Sequence, residues 1–432
     1  MPERYANYFK DPPVEMGYTG KEKPILLPLP DGGEIIDLSE GTTPFGPPEK
    51  TQQIVEHLAL SGKVLESLSK YRFDLSEAEK NLRDQLRLPL RKEIFISAGG
   101  SNELLFLLVL ALNNGERQRI WGPPGQFPEL KKYVDMTHIV KQSDKTDISE
   151  NQKGEDGAEK VLNAEIENEI VEPTLTYSEI ETPFNASGKE VLDIMKTRLI
   201  EAKNNELEGK IIVYLGNPNP QNGVRASNKN VREFLRFADR LNTLVIVDEA
   251  YRPDDDSIAA YIEQHPNLIA VGSSGKADGL PGEGLGYLVA PTDIELIYKK
   301  YMRAYQVRGS SGVNMGPFTN PQLIKDHKTI TREKTREIKT QLLVELTKAG
   351  FTINTHTDLE VPIFMLDGGE EGFYDTLRQE GVITTRGSAY FNKTTGEWVS
   401  TNRFVRMTIP NDKNQIPIIV ARCVAAREML TL

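Results

Sequence analysis

Short apolar runs separated by helical segments are the feature that most constrains the fold of this chain. The runs KIIVYLG (210–216), TLVIVDEA (243–250) and NLIAVGSSG (267–275) have the length and apolar character of buried strands. VREFLRFADRLN (231–242) has helical spacing, and EIFISAGGSNELLFLLVLALNN (93–114) combines a strand with a buried helix. Strands that alternate with helices in this way predict an α/β fold with a large, mostly parallel sheet flanked by helices.

The pattern changes in the last quarter of the chain. TITREKTREIKTQLLVELTKAG (329–350) predicts a long amphipathic helix, and the strand-like segments VPIFMLDG, GVITTRGSAYF and RFVRMTI follow it. We therefore expect a smaller α+β domain there. The predicted organisation is an N-terminal segment that joins the small domain (1–50), a large domain (51–310) and the small C-terminal domain itself (311–432).

Length and composition narrow the class of protein. The chain has 432 residues, of which 38% are hydrophobic and 27% charged, as in a globular protein of about two domains. The longest apolar run, 104–112, is too short to cross a bilayer, and the first residues lack the apolar core of a signal peptide. The single cysteine, Cys423, is typical of a reducing compartment. We expect a cytoplasmic protein without membrane contact.

Charge is unevenly distributed along the chain. The net charge of −11 argues against a nucleic-acid partner, which would require a basic face. Twelve acidic residues and three lysines lie between Asp144 and Glu181, so we predict a mobile acidic insertion at about 143–182. A solvated loop is its simplest interpretation, and a lid over a site is the alternative. The five histidines have no metal-ligand spacing, and no metal site is expected.

Three polar clusters follow three of the predicted strands: NPNPQNG (217–223), DEAY (248–251) and a glycine-rich stretch with Lys276. Ligands of such sheets bind beyond the carboxyl ends of the strands, so these clusters should converge. The spacing around Lys276 does not match a phosphate-binding loop of nucleotide enzymes, which leaves a solvated turn or a reactive amine.

The residue types in these clusters have a common chemical use. A lysine amine can form a Schiff base with an aldehyde, and a carboxylate such as Asp248 can keep a pyridine nitrogen protonated. Asparagine and tyrosine can hydrogen-bond a phenolic oxygen, and Gly-Ser at a helix N-terminus can bind a phosphate. Together these are the requirements of pyridoxal 5′-phosphate.

From about residue 34 onward, the sequence resembles the fold-type I pyridoxal-phosphate enzymes, and most closely the class I/II aminotransferases of the histidinol-phosphate aminotransferase kind. DEAY, SSGK (273–276), AGGSNE (98–103) and KYRFD (70–74) resemble family motifs in the family order. IIDLSEGTTPFGPP (35–48) resembles the N-terminal segment that crosses the site, and GSAYF resembles a loop of the small domain. The resemblance implies an aspartate aminotransferase-like fold.

The resemblance also implies roles for single residues. Lys276 would be the Schiff-base lysine, Asp248 would face the pyridine nitrogen and Tyr251 the phenolic oxygen. Arg406, within FVRMTI, would bind the substrate carboxylate, because a planar guanidinium matches a carboxylate in bidentate geometry. The residues assigned to the cofactor phosphate are Gly100, Ser101, Asn102, Ser273 and, from the neighbouring subunit, Tyr71.

Two motifs depart from the family pattern in ways that leave alternatives open. In NPNPQNG, alignment on Asn-Pro makes Asn219 the partner of the phenolic oxygen, with Asn217 in reserve, whereas alignment on the last glycine places Pro220 there. In WGPPGQFPEL, strict alignment places Gln126 over the ring, and a shift of one residue places Phe127 there. We favour Phe127, because an aromatic face stacks better on a pyridine ring.

The phosphate-binding elements around the lysine depart as well. Gly275 replaces the serine that usually precedes the lysine, and Gly284 stands where the family has a phosphate-binding arginine. Loss of a bidentate cation should weaken phosphate binding unless another arginine replaces it. The candidates are Arg225, Arg252, Arg308 and Arg386.

We therefore predict a homodimeric aminotransferase that acts on an amino acid and a keto-acid acceptor through Lys276. One alternative is another pyridoxal-phosphate reaction on an amino acid, by a lyase, decarboxylase, cyclase or oxidase. Such enzymes share the fold and most site residues, and the sequence barely separates them. The other alternative is a non-catalytic relative that has lost the cofactor, for which the glycine at 284 is the support.

Overall fold

The computed structural model describes residues 29, 33–46, 76–89, 94–97, 99–143, 174–252, 256–273, 276, 286–291, 321–392 and 395–431. The strands of these residues are β1 (Ile36–Asp37), β2 (Phe95–Ser97), β3 (Gln118–Gly122), β4 (Leu175–Glu179), β5 (Lys210–Gly216), β6 (Leu244–Asp248), β7 (Leu268–Ser273), β8 (Gly286–Val289), β9 (Thr352–Ile353), β10 (Ile363–Asp367), β11 (Val382–Ile383), β12 (Thr385–Arg386), β13 (Tyr390–Asn392), β14 (Glu397–Val399) and β15 (Phe404–Thr408).

The α-helices of the same residues are α1 (Ser76–Gln85), α2 (Gly100–Leu112), α3 (Pro128–Ser143), α4 (Gly188–Asn204), α5 (Asn228–Asp239), α6 (Pro321–Lys348), α7 (Phe373–Gln379) and α8 (Ile416–Thr431). Short 3-10 helices cover Ile258–Gln264, Thr401–Arg403 and Lys413–Gln415. No helix of this described part combines the length and apolarity that crossing a membrane requires.

The larger sheet has seven strands in the order β2-β8-β7-β6-β5-β3-β4. The pairs from β7 through β6, β5 and β3 to β4 are all parallel, and β8 runs antiparallel to both of its neighbours. The predicted α/β class with a mostly parallel sheet is therefore confirmed.

The sheet is buried on both faces, as its continuous apolar strands require. On β6, Val245 and Val247 belong to a core cluster that contains residues of α4 and α5. Ile246, which points to the opposite face, belongs to a cluster with residues of α2 and α3. This alternation explains why the strands lack a polar side and were recognisable as apolar runs.

The smaller sheet is antiparallel and has the order β12-β15-β10-β9. Its core cluster includes Phe364, Val405 and Met407, together with apolar residues of α6, α7 and α8. The strand β1 pairs in parallel with β11, which attaches this N-terminal stretch to the C-terminal part of the chain.

Two predicted boundaries differ from the structure. The long helix α6 begins at Pro321 instead of near residue 329. The sequence did not indicate this earlier start, because the first turns of the helix lack a regular apolar spacing. Within the predicted insertion at 143–182, Leu175–Glu179 form the edge strand β4, since LTYSE has the β-branched and aromatic residues of a strand. Residues 144–173 of that predicted insertion lie outside the described residues.

Candidate active site

The strands β5, β6 and β7 have their carboxyl ends at the same edge of the large sheet. The ladder aligns Gly216 with Asp248 and Asp248 with Val271, and the Asn217 amide donates to the Asp248 carbonyl at 2.8 Å. Ser273 ends β7, and Lys276 follows it. The three polar clusters of the sequence therefore begin at neighbouring strand ends.

Asp248 lies at the buried end of β6 and is 7% exposed. Its Oδ2 accepts a hydrogen bond of 2.6 Å from the Tyr214 hydroxyl, and its Oδ1 accepts one of 2.9 Å from the Ala250 amide. Burial raises the pKa of Asp248, while the two hydrogen bonds oppose that rise. Tyr214 was not among the sequence-predicted site residues.

Lys276 and Tyr251 are close together beneath the N-terminal segment. Lys276 Nζ lies 5.8 Å from the centroid of the Tyr251 ring, and the Thr43 amide donates to the Lys276 carbonyl at 3.0 Å. A Cβ on Gly41 would overlap the Tyr251 hydroxyl and would lie 3.2 Å from Arg406 Nη1. The segment thus passes between Tyr251 and Arg406, and glycine at position 41 permits this close approach.

Arg406 has an incomplete set of partners. Its Nη2 donates to the Ser39 carbonyl at 2.7 Å and to Thr385 Oγ1 at 2.8 Å, and its Nη1 lies 3.5 Å from the Pro220 carbonyl. Its Nε is buried without a hydrogen-bond partner. Every acceptor that the described part of the chain gives this guanidinium is a neutral oxygen, so a carboxylate from a ligand would complete it.

The N-terminus of α2 lies beside the end of β7. Gly100 has a φ of +72°, and a Cβ on Gly286 of β8 would overlap the backbone of Gly100 and Ser101. Ser273 pairs with Gly286 across the β7–β8 ladder. The structure therefore brings Ser273 next to the first amides of α2, where a helix presents unpaired N–H groups to an anion. Asn102, also in this first turn, accepts a hydrogen bond from the Tyr133 hydroxyl.

The two candidate asparagines both have partners within or beside their loop. Asn217 exchanges hydrogen bonds with the backbone of Ala226, at 2.7 Å and 3.0 Å. Asn219 Nδ2 donates to the Pro124 carbonyl at 3.0 Å, and its Oδ1 accepts from the amides of Gln221 and Asn222. Each side-chain amide retains one further N–H, because a carboxamide nitrogen carries two hydrogens.

Gln126 and Phe127 have different surroundings. Gln126 is 4% exposed, and its Oε1 accepts a hydrogen bond from the Gly216 amide at the end of β5. This contact orients Nε2 away from Gly216, and Nε2 is buried without a partner. Phe127 is half-buried and packs against the core cluster on the α2–α3 face of the sheet. Gln126 thus offers a donor at the strand edge that holds Asp248.

Three of the arginines that could replace the family's phosphate-binding arginine lie among the described residues, and each of them contacts a carboxylate. Arg252 is buried and lies 2.7 Å from Glu249 Oε2. Arg225 lies 3.7 Å from Asp358, and Arg386 lies 3.9 Å from Asp375. Arg308, Gly284 and Tyr71 lie outside the described residues.

Residues that the sequence did not single out also contact the site. Gln221 is 5% exposed, its Oε1 is buried without a partner, and a Cβ on Gly125 would overlap its side chain. That same Cβ would lie 3.3 Å from Ser388 Oγ, and Asn222 Nδ2 donates to the Tyr390 hydroxyl at 3.1 Å. These contacts bring the NPNPQNG loop next to GSAYF. Neither motif by itself indicates that the two are close together.

The fold is that of the fold-type I aminotransferases. Three solved structures that resemble it are kynurenine aminotransferase of Pyrococcus horikoshii (TM-score 0.67, 14% identity, 92% of each chain covered), an aspartate aminotransferase of Rhodobacter sphaeroides 2.4.1 (0.66, 17%, 94% of this chain and 95% of that one) and histidinol-phosphate aminotransferase of Clostridium acetobutylicum (0.64, 16%, 92% and 100%).

The chain belongs to the aminotransferase class I and II family, whose sequence pattern matches residues 152–422. It is 32% identical over 149 residues to histidinol-phosphate aminotransferase of Buchnera aphidicola subsp. Diuraphis noxia, a match that covers 34% of this chain and 36% of that protein. The corresponding enzyme of Methanosarcina barkeri is 30% identical over 146 residues, or 32% and 37% of the two chains. The chain thus spans about a third of the length of the curated relatives it matches.

Proposed function

We propose that this protein is a pyridoxal-phosphate-dependent aminotransferase that transfers the amino group of an amino acid to a keto acid. The observation that carries the proposal is the meeting of Lys276, Tyr251 and Arg406 around the segment 39–43, next to the strand end that holds Asp248. Family membership supports the same reaction type.

The residues present fit the cofactor. Asp248 is a buried carboxylate without a basic partner in the described part of the chain, so a protonated pyridine nitrogen would neutralise it. Gly100, Ser101 and Asn102 begin α2 beside Ser273, which suits the phosphate. When bound, pyridoxal phosphate supplies an electron-accepting ring that stabilises negative charge at the substrate Cα.

The remaining contacts to the cofactor are assigned to loops at the same strand edge. Tyr251 and Asn219 are the proposed partners of the phenolic oxygen, with Asn217 as the second candidate. Phe127 remains the proposed ring-stacking residue. Gln126 of the same loop could donate a hydrogen bond to the cofactor, because its Nε2 is buried without a partner. The phosphate contact from Tyr71 of a neighbouring subunit is proposed from the family resemblance.

Two basic residues act on the substrate, one by binding its carboxylate and the other by moving a proton. Arg406 binds the α-carboxylate of the amino acid and of the keto acid, because its guanidinium has an unpaired Nε and no carboxylate partner among the described residues. Lys276 Nζ is the proposed site of covalent cofactor attachment. The amine of Lys276 would also act as the base that moves the proton from the substrate Cα.

We further propose a homodimer in the cytoplasm. The dimer follows from the proposed role of Tyr71 in a neighbouring site. A reducing compartment is supported by the lone Cys423, which is buried and unpaired, and burial raises the pKa of its thiol to about 12.

The function is tested by incubating the purified protein with pyridoxal phosphate, single amino acids and 2-oxoglutarate. A panel of aromatic, dicarboxylic and basic amino acids, with histidinol phosphate added because of the relatives' names, covers the main classes. The expected products are a keto acid, or the corresponding ketone from histidinol phosphate, together with glutamate. Release of ammonia or carbon dioxide without amino transfer would contradict the proposal.

A further inference from the structure

Tyr214 lies in the middle of an apolar strand, and its hydroxyl contacts a single carboxylate. It is 0% exposed and donates to Asp248 Oδ2 at 2.6 Å. We propose that Tyr214 is a positioning residue that fixes the orientation and the ionised state of Asp248, and so strengthens the pairing of Asp248 with the ring nitrogen of the cofactor. This inference rests on the proposed function.

The sheet geometry explains how the two side chains meet. Tyr214 on β5 aligns with Ile246 on β6, and Gly216 aligns with Asp248. Residues two apart on a strand share a face, so Tyr214 is the diagonal neighbour of Asp248 on the α2–α3 face. Gly216 lies directly opposite Asp248, and the space that a side chain would fill there is occupied by Pro220 Cδ and Gln126 Oε1, at 2.7 Å and 2.9 Å from the position of a Cβ. The diagonal position brings the Tyr214 hydroxyl to the carboxylate of Asp248.

Each carboxylate oxygen has one fixed donor. Tyr214 donates to Oδ2, and the Ala250 amide donates to Oδ1 at 2.9 Å. Two donors on different oxygens restrict the side-chain torsions of Asp248. A carboxylate accepts about four hydrogen bonds, so capacity remains for a protonated ring nitrogen.

The surroundings of Asp248 favour its protonated form, and the Tyr214 hydroxyl opposes this effect. Burial raises the pKa of Asp248, and the nearby Glu249 raises it further, while Tyr214 and the Ala250 amide lower it. Tyr214 itself keeps its proton, because burial and the charge of Asp248 raise its pKa far above the usual value, with smaller effects of the same sign from Tyr177 and Glu129. In the described part of the chain, Tyr214 is thus the side chain that stabilises the ionised form of Asp248.

The direct test is the affinity of the cofactor-free protein for two ligands. One is pyridoxal phosphate, and the other is its analogue in which carbon replaces the ring nitrogen. Tyr214→Phe keeps the ring in the core cluster and removes the hydroxyl. We expect its Kd for pyridoxal phosphate to rise about tenfold, the effect of one hydrogen bond to a charged group. The Kd for the analogue should stay within about twofold, because the analogue has no ring nitrogen to pair with Asp248.

Tyr374→Phe is the matched control. Tyr374 is 4% exposed in the core of the smaller sheet, and its substitution should leave both Kd values unchanged. Equal weakening of both ligands by Tyr214→Phe, or no weakening of either, would overturn the inference. Failure of the wild-type protein to bind pyridoxal phosphate would overturn the proposed function, and this inference with it.

A second variant tests the inference even if Tyr214→Phe does not fold. Site-specific incorporation of a ring-fluorinated tyrosine at position 214 keeps the shape and the hydroxyl but makes the hydroxyl more acidic. A more acidic hydroxyl is a stronger donor and should stabilise the ionised Asp248. We expect a lower Kd for pyridoxal phosphate and an unchanged Kd for the analogue. An unchanged Kd for pyridoxal phosphate would contradict the positioning role.

Discussion

Arg406 is the residue whose surroundings most clearly require a ligand. It lies on β15 between apolar neighbours, and its hydrogen bonds reach the Ser39 carbonyl and the Thr385 hydroxyl. Its Nε is buried and unpaired. An unpaired charged donor costs several kcal/mol unless a partner is supplied, and an amino-acid carboxylate would supply one in bidentate geometry.

Arg406→Lys should therefore reduce kcat/KM by an amount equivalent to about 2–4 kcal/mol, because lysine keeps the charge but loses the planar fork. Cofactor affinity should be almost unchanged, since the guanidinium is assigned to the substrate. The measurement is kcat/KM for an amino acid and for its decarboxylated amine, together with cofactor occupancy.

Arg403→Lys provides the matched control on the same chain segment. Arg403 pairs with Asp367 through Nε and through Nη2, the latter at 2.7 Å, and is assigned to neither the cofactor nor the substrate. Its substitution should alter stability and leave kcat/KM unchanged. Full activity of Arg406→Lys on the amino acid would make Arg406 a structural residue and would place the carboxylate contact elsewhere.

Among the elements, the helix α6 is attached to the smaller sheet by a buried lysine. Lys339 is 0% exposed, and its Nζ donates to Thr357 Oγ1 and to the carbonyls of Asp358, Val361 and Ile363 at 2.7–2.9 Å. These acceptors form the turn that leads into β10, and a Cβ on Gly223 would lie 3.5 Å from the same Nζ. Lys339 thus holds α6, this turn and the NPNPQNG loop together.

Lys339→Met should lower the free energy of unfolding by about 3 kcal/mol or more, because each buried acceptor without a donor costs about 1–3 kcal/mol. Lys348→Met on the same helix is the control, since Lys348 is largely exposed and should change stability by less than about 0.5 kcal/mol. Urea unfolding of the cofactor-free proteins measures both values. Equal stability of the wild-type protein and Lys339→Met would contradict the anchoring role.

The stabilising effect of Lys339 should also depend on pH. Burial lowers the pKa of Lys339 to about 7 from the ordinary value of 10.5. Between these two values the unfolded chain binds more protons than the folded one, so stability rises with pH across this window. The difference in stability between the wild-type protein and Lys339→Met should grow from pH 7 towards pH 10. A difference that stays constant or shrinks would contradict the lowered pKa.

The elements also show what could be predicted from the sequence. The strands β5, β6 and β7 were predictable, because burial on both faces leaves unbroken apolar runs between polar ends. The antiparallel β8 was not, since its pairing with β2 and β7 depends on contacts between distant segments. Tyr214 was missed for a related reason: a tyrosine in an apolar strand is typical of core packing, and its partner Asp248 is 34 residues away.

For the molecule as a whole, the proposed dimer has sites shared between subunits. Mixing Lys276→Ala with Tyr71→Phe should restore activity, because one of the two sites in each hybrid dimer would have an intact lysine and an intact tyrosine. Mixing Lys276→Ala with Lys276→Met is the control and should restore none. The measurement is amino-transfer activity in hybrids verified by native mass spectrometry. Verified hybrids without recovered activity would contradict the shared site.

The proposed aminotransferase reaction depends above all on covalent attachment of the cofactor to Lys276. Its direct measurement is borohydride reduction of the protein with bound pyridoxal phosphate, followed by peptide mapping. We expect a pyridoxyl group on the peptide that contains Lys276, and none in Lys276→Ala. A pyridoxyl group on another lysine, or on no lysine of the wild-type protein, would contradict the claim.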